Sequence, residues 1–285
     1  MPARQARRLH SSYTFRMTRL TAQDFQPEVL QLFDRYVHGD LSRRGFLESA
    51  VRYAGSAAGA AGLLAALSPQ FAQAQQVAPG DARIQTRYLD IDSPHGYGRL
   101  HGYLAKPAGS SARLPAVLVV HENRGLNPHI EDIARRLALD GFLAFAPDAL
   151  TPLGGYPGDE HKARDLFAKL DAAKTRADFV AAERWLQASA EANGHVGVVG
   201  FCWGGGMANY LATQLPEVRA AVPFYGAQPA AQDVPKIKAA GTRFEAYTYA
   251  VVQHGFNNDT TPRFDAEAGR LARQRTVTFF KTQLA

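Results

Sequence analysis

The chain has 285 residues, 46% hydrophobic and 20% charged, a composition that fits a globular protein with one large core. Its formal charge of +6 sits mainly at the front: residues 1–74 carry nine arginines against five acids, while the rest holds 23 basic and 21 acidic residues. The body therefore lacks the basic runs of a nucleic-acid binder, its single cysteine excludes an internal disulfide, and its nine histidines show no H-x-x-x-H spacing, so neither a metal site nor a cofactor is expected.

In chain order, residues 20–40 have partly helical apolar spacing (Phe25, Val29, Leu30, Phe33, Tyr36, Val37) and predict a short amphipathic helix. Ser42-Arg43-Arg44-Gly45-Phe46-Leu47 matches a twin-arginine export signal. An Ala/Gly-rich apolar stretch at 54–67 follows, then Ala72-Gln73-Ala74, an A-x-A cleavage site. That run is too short for an ordinary membrane span. The order predicts a signal region over 1–74, recognised by the twin-arginine machinery and removed after Ala74, with the body at 75–285 delivered to the periplasm. Met17 is an alternative start.

The body reads as strands alternating with helices. Residues 84–91 and 99–106 predict an antiparallel hairpin turned at Ser93-Pro94-His95-Gly96. Strands follow at 116–120, 142–146, 195–199, 220–224 and 244–249, and helices at 130–139, 160–170, 175–190, 204–215 and 266–284. Short apolar strands between helices indicate an α/β fold, a mostly parallel sheet covered by helices on both faces.

The most informative stretch is Gly200-Phe201-Cys202-Trp203-Gly204, a G-x-C-x-G motif between a predicted strand and a predicted helix. That context makes it a nucleophile elbow: the sharp turn needs small neighbours, and the N–H after the cysteine faces a developing oxyanion. A helix N-terminus at the sulfur predicts a thiol pKa below about 8.5. An inert buried thiol is the alternative.

From residue 84 to 284 the chain resembles the dienelactone hydrolase family, α/β-hydrolases with a cysteine nucleophile. The resemblance rests on Val119-Val120-His121-Glu122-Asn123-Arg124-Gly125, Ala146-Pro147-Asp148, the cysteine motif with Gly205, and Gln253-His254-Gly255-Phe256. It implies Cys202 as nucleophile, His254 as base, an oxyanion hole from the N–H groups of Trp203 and Asn123, and Glu122 as the buried acid beside the thiol. Arg124 is a candidate for attracting an anionic substrate, with an exposed structural arginine as the alternative.

The pattern breaks at the triad acid, which should lie at a strand end between nucleophile and histidine. Only Glu217, Asp233 and Glu245 lie between Cys202 and His254, and none sits where that acid belongs. Gly226 to Arg243 is 18 residues, enough for a thin crossover of about a dozen but not for another strand, a catalytic loop and a helix. The expectation is a sheet one strand short. Asp233, the only loop acid in the right order, is the better candidate for a makeshift partner; Asp259 lies just beyond His254. Two readings follow: a hydrolase of small esters or lactones, impaired by the missing acid, or a catalytically crippled remnant, without function or surviving as a non-catalytic small-molecule-binding protein. A redox-sensing thiol is disfavoured because there is no resolving cysteine.

Overall fold

The computed structural model describes residues 19–229, 232, 235 and 245–285. Its centre is a six-stranded sheet in the order β1-β2-β4-β3-β5-β6. The strands are β1 (Ile84–Ser93), β2 (Gly98–Pro107), β3 (Leu114–Val120), β4 (Leu143–Pro147), β5 (Ala192–Phe201) and β6 (Val218–Phe224). β3 to β6 run parallel, while β2 is antiparallel to both β1 and β4, so the sheet is mixed. The hairpin closes with Ser93 opposite Gly98, whose φ of 88° suits glycine at the turn.

β3 explains the layering. Its apolar run alternates faces. Val117 and Val119 join a core with Ile130, Ala134 and Phe280; Leu118 and Val120 join another with Phe179, Leu186 and Leu211. The first face is covered by α5 (Pro128–Leu139) and the last helix, α9 (Ala266–Gln283); the second by α7 (Ala172–Ala188) and α8 (Trp203–Gln214). Full burial of each large aliphatic side chain contributes about 1.5–3 kcal/mol. Start signals agree with the sequence: Asn127 accepts the N–H of Ile130 ahead of Pro128, and Asp171 accepts those of Ala173 and Lys174. A short helix, α6 (Glu160–Phe167), lies between β4 and α7.

The strand expected at 244–249 does not form in its described part, 245–249. Its alternating aromatics serve α9 instead: Arg275 lies 4.0 Å from the Tyr247 ring centroid and donates to the Tyr249 hydroxyl at 3.1 Å. Among the described residues the sheet ends at β6. Asp233 and Lys238 lie outside those residues.

Residues 19–74 pack as helices α1 (Pro27–His38), α2 (Arg43–Ala54), α3 (Ala57–Leu67) and α4 (Phe71–Ala74). The first three share a core of their own, with Val29, Phe33, Tyr36, Phe46 and Leu64. Arg43 and Arg44 open α2 behind Ser42, whose hydroxyl accepts the Gly45 N–H. The apolar stretch forms α3. No single helix among the described residues is long and apolar enough to cross a membrane; only α2 with 57–74 passes by length and composition, and that pair is bent by 109°.

Candidate active site

β5 runs into α8 through Cys202, which has φ 54° and ψ −114°. A non-glycine residue held there stores strain, and the surroundings leave no slack. A Cβ on Gly200 would lie 1.9 Å from the Gly204 carbonyl oxygen, and one on Gly204 2.4 Å from that of Val120. The Cys202 N–H donates to Phe224 O at 3.0 Å, tying the turn to β6. The sulfur therefore sits at the carboxyl end of the parallel strands, with the Trp203 N–H directed at it.

The loop after β3 brings Glu122 beside the elbow. Its carboxylate accepts from Asn258 Nδ2 at 3.2 Å and from the Tyr225 hydroxyl at 3.4 Å. Burial, then the Glu122 charge, push the Cys202 thiol up to about 12, against the pull of the Trp203 N–H. The expected low thiol pKa is thus corrected: the helix N-terminus is outweighed by desolvation and a neighbouring carboxylate. His121, fully buried, accepts the Ala149 N–H and stacks on Trp203, and burial keeps it neutral.

His254 lies in the loop before α9. Among the described residues, nothing hydrogen-bonds its buried Nε2. Burial, then the nearness of His38 and of the Arg263 guanidinium, hold its pKa down, so the ring is a neutral base. Asp259 does not approach it: its carboxylate accepts from Gln76 Nε2 at 2.6 Å and pairs with Arg136 at 2.7 Å. Arg124 is buried rather than exposed. It donates to Asn123 O at 3.0 Å and Val37 O at 3.4 Å, and lies 3.9 Å from Glu160. Asn123, beside Glu122, donates its side-chain amide to Val37 O.

The sequence reading missed His38. The last residue of α1, it places Nε2 4.0 Å from Cys202 Sγ, with its ring centroid 4.5 Å from that of His254. One ligand atom each from His38, Cys202 and His254 lie within 4.8 Å of one another, a nitrogen–sulfur set of the kind zinc accepts. Spacing could not reveal it, because the three come from distant segments. The available signal was a histidine ending an amphipathic helix just before Gly39.

Removing the Glu122 charge tests the thiol's environment. Glu122→Gln is expected to shift the pH profile of iodoacetamide alkylation at Cys202 downward, because a neutral amide no longer opposes thiolate formation. An unmoved profile would mean burial alone sets the value.

A strained residue between a parallel strand and a helix, with a histidine loop above it, defines an α/β-hydrolase. Residues 100–240 match the family model described as "Dienelactone hydrolase family", and residues 17–55 match a second, "YqhI-like". "Putative hydrolase fragment YghX" of Escherichia coli K12 is 52% identical over 105 residues, covering 37% of this chain and 90% of its own. A "Putative carboxymethylenebutenolidase" from the same organism is 30% identical over 223 residues, 63% of this chain and 81% of its own. Among solved structures, a "Putative Dienelactone Hydrolase" from Klebsiella pneumoniae superposes with a TM-score of 0.57 at 25% identity, covering 69% of this chain and 99% of that one. The chain belongs to the dienelactone hydrolase family.

Proposed function

We propose that the chain hydrolyses small esters or lactones through Cys202. His254 takes the thiol proton as sulfur attacks the carbonyl carbon, and the carbonyl electron pair moves onto oxygen facing the Trp203 and Asn123 N–H groups. Collapse of that adduct breaks the ester bond, and the leaving oxygen receives the proton from His254. Water then attacks the thioester, with His254 again the base, releasing the acid and restoring the thiol. The observation carrying this reading is the strained Cys202, flanked by glycines that tolerate no side chain, with the Trp203 N–H at its sulfur. The names of the relatives agree with it.

Turnover is proposed to be impaired. A family match that stops at residue 240, short of the histidine loop, supports a missing triad acid. The E. coli carboxymethylenebutenolidase-like alignment is 223 positions long yet takes up 63% of this chain, so that relative has segments with no counterpart here. Losing the acid costs about 10⁴ in turnover in the serine-protease case, and less where a thiol is the nucleophile.

The test is an activated ester offered to the full chain and to His38→Ala, since α1 lies over the thiol. Product released in a burst equal to the enzyme, absent in Cys202→Ala and followed by slow turnover, is the expected result. No burst from either chain sinks the reading.

Residues 1–74 are proposed as a twin-arginine leader cut after Ala74, giving a periplasmic enzyme. Replacing Arg43 and Arg44 by lysine is expected to leave uncleaved protein in the cytoplasm; undiminished export and processing would end the proposal.

A further inference from the structure

We propose that the N-terminal segment closes the active site in cis: the end of α1 is a plug for the Cys202 cleft, and the body carries a docking surface built for it. The last carbonyls of a helix have no partner within it and carry partial negative charge. Two of those of α1 find donors on the body. Tyr36 O accepts from Arg164 at 3.1 Å, and Val37 O accepts from Asn123 at 3.0 Å and Arg124 at 3.4 Å. Farther up the helix, Asp34 accepts from Arg263 at 3.2 Å, and that guanidinium lies 5.1 Å from the Phe33 ring centroid. Arg164 covers Tyr36 in the same way, 4.5 Å from its ring centroid. Arg124 and Arg263 are 6% and 7% exposed, so their charges are buried with α1 seated. Buried charge is tolerated only with such partners.

His38 is the tip of the plug. Its Nδ1 donates to Asp34 O at 2.8 Å, which fixes the ring and leaves Nε2 facing Sγ 4.0 Å away. The ring stands edge-on to His254, 70° between planes, so it lies against both the sulfur and the base. A substrate carbonyl must come within about 3–3.5 Å of that sulfur to react, and His38 occupies the approach. The plugging unit is separable: α1 to α3 have their own core, whereas the stretch just beyond Ala74 stays with the body through Gln76 and Val77, whose N–H groups donate to Asp132 at 3.0 and 2.9 Å. Releasing the segment therefore opens the cleft without opening the body's core.

The inference rests on the reading of Cys202 as the reacting group, so its test reads the thiol and not the ester. In the native full-length chain, iodoacetamide alkylation of Cys202 is followed by mass spectrometry in the parent, His38→Ala and Arg164→Ala. Removing the ring, or unseating the helix end from a distance, is expected to speed alkylation about tenfold or more, a barrier lowered by about 1.4 kcal/mol. A chain with a protease recognition sequence inserted after Gln75 supplies an independent measurement, because cutting it should raise the rate without any change near the thiol. An unchanged rate in His38→Ala overturns the proposal, and so does a slower one, which would make His38 an activator of the thiol. A cut chain whose thiol stays masked after the segment dissociates overturns it as well. Faster alkylation with no ester burst would uphold the plug while ending the hydrolase reading.

Discussion

Gly204→Ala is expected to cost the fold about 3 kcal/mol or more, at the upper end of what overpacking does. The added methyl would meet the Val120 oxygen at 2.4 Å and the His121 oxygen at 2.5 Å, both backbone atoms of β3 and the loop after it. No rotamer change relieves such a clash; either the parallel pair β3–β5 or the elbow must shift. Total stabilities of about 5–15 kcal/mol make that a large fraction. Gly62→Ala on α3 is the control: nothing lies within 4 Å, and the helix gains about 1 kcal/mol. Urea unfolding midpoints should move in opposite directions. A Gly204→Ala chain with the parent's midpoint would show that the elbow is looser than its geometry.

Asp259→Asn is expected to destabilise the chain by about 2–3 kcal/mol, although the sequence suggested only a spare candidate for the triad. Asp259 is 3% exposed and bonds Arg136 and Gln76, fastening the loop after His254 to α5 and to the segment after α4. Breaking a buried pair costs about 3–5 kcal/mol; here Arg136 keeps Asp132 at 2.8 Å, which softens the loss. Burial would raise the Asp259 pKa, but His129 and Arg136 more than offset it, and the net shift is downward. A depressed carboxyl pKa contributes stability that is present above the unfolded value of about 3.9 and fades as pH falls through the folded one. Asp259→Asn should therefore fall furthest below the parent at neutral pH and approach it in acid. A constant gap would assign the loss to packing.

The parts legible in the sequence were those that local pattern determines. Val117 to Val120 had to be a buried strand, and Gly200 and Gly204 had to flank a tight turn, because periodicity and steric demand are written in neighbouring residues. The strand expected at 244–249 fails over its described residues, 245–249, because Tyr247 and Tyr249 pack on Arg275 of α9 instead of on a sheet. The thiol's direction was misjudged because a helix N-terminus is visible in a motif, while desolvation and the approach of Glu122 are tertiary. His38, Asp34 and Arg263 were invisible for the same reason: nothing in an amphipathic helix reveals which distant loop it will meet.

The pair Asp34–Arg263 joins positions 229 residues apart. The entropy of closing a chain loop grows with its length, and contacts of such separation form only after the intervening structure has made them worthwhile. Both Arg263 and His254 belong to the loop before α9, so the seat of α1 is incomplete until the carboxyl-terminal part of the chain is in place. The seat is thus completed last on folding. On gentle warming it should go first, as the least stable cooperative unit of the molecule, with hydrogen exchange rising across α1 while β3 and β5 stay protected.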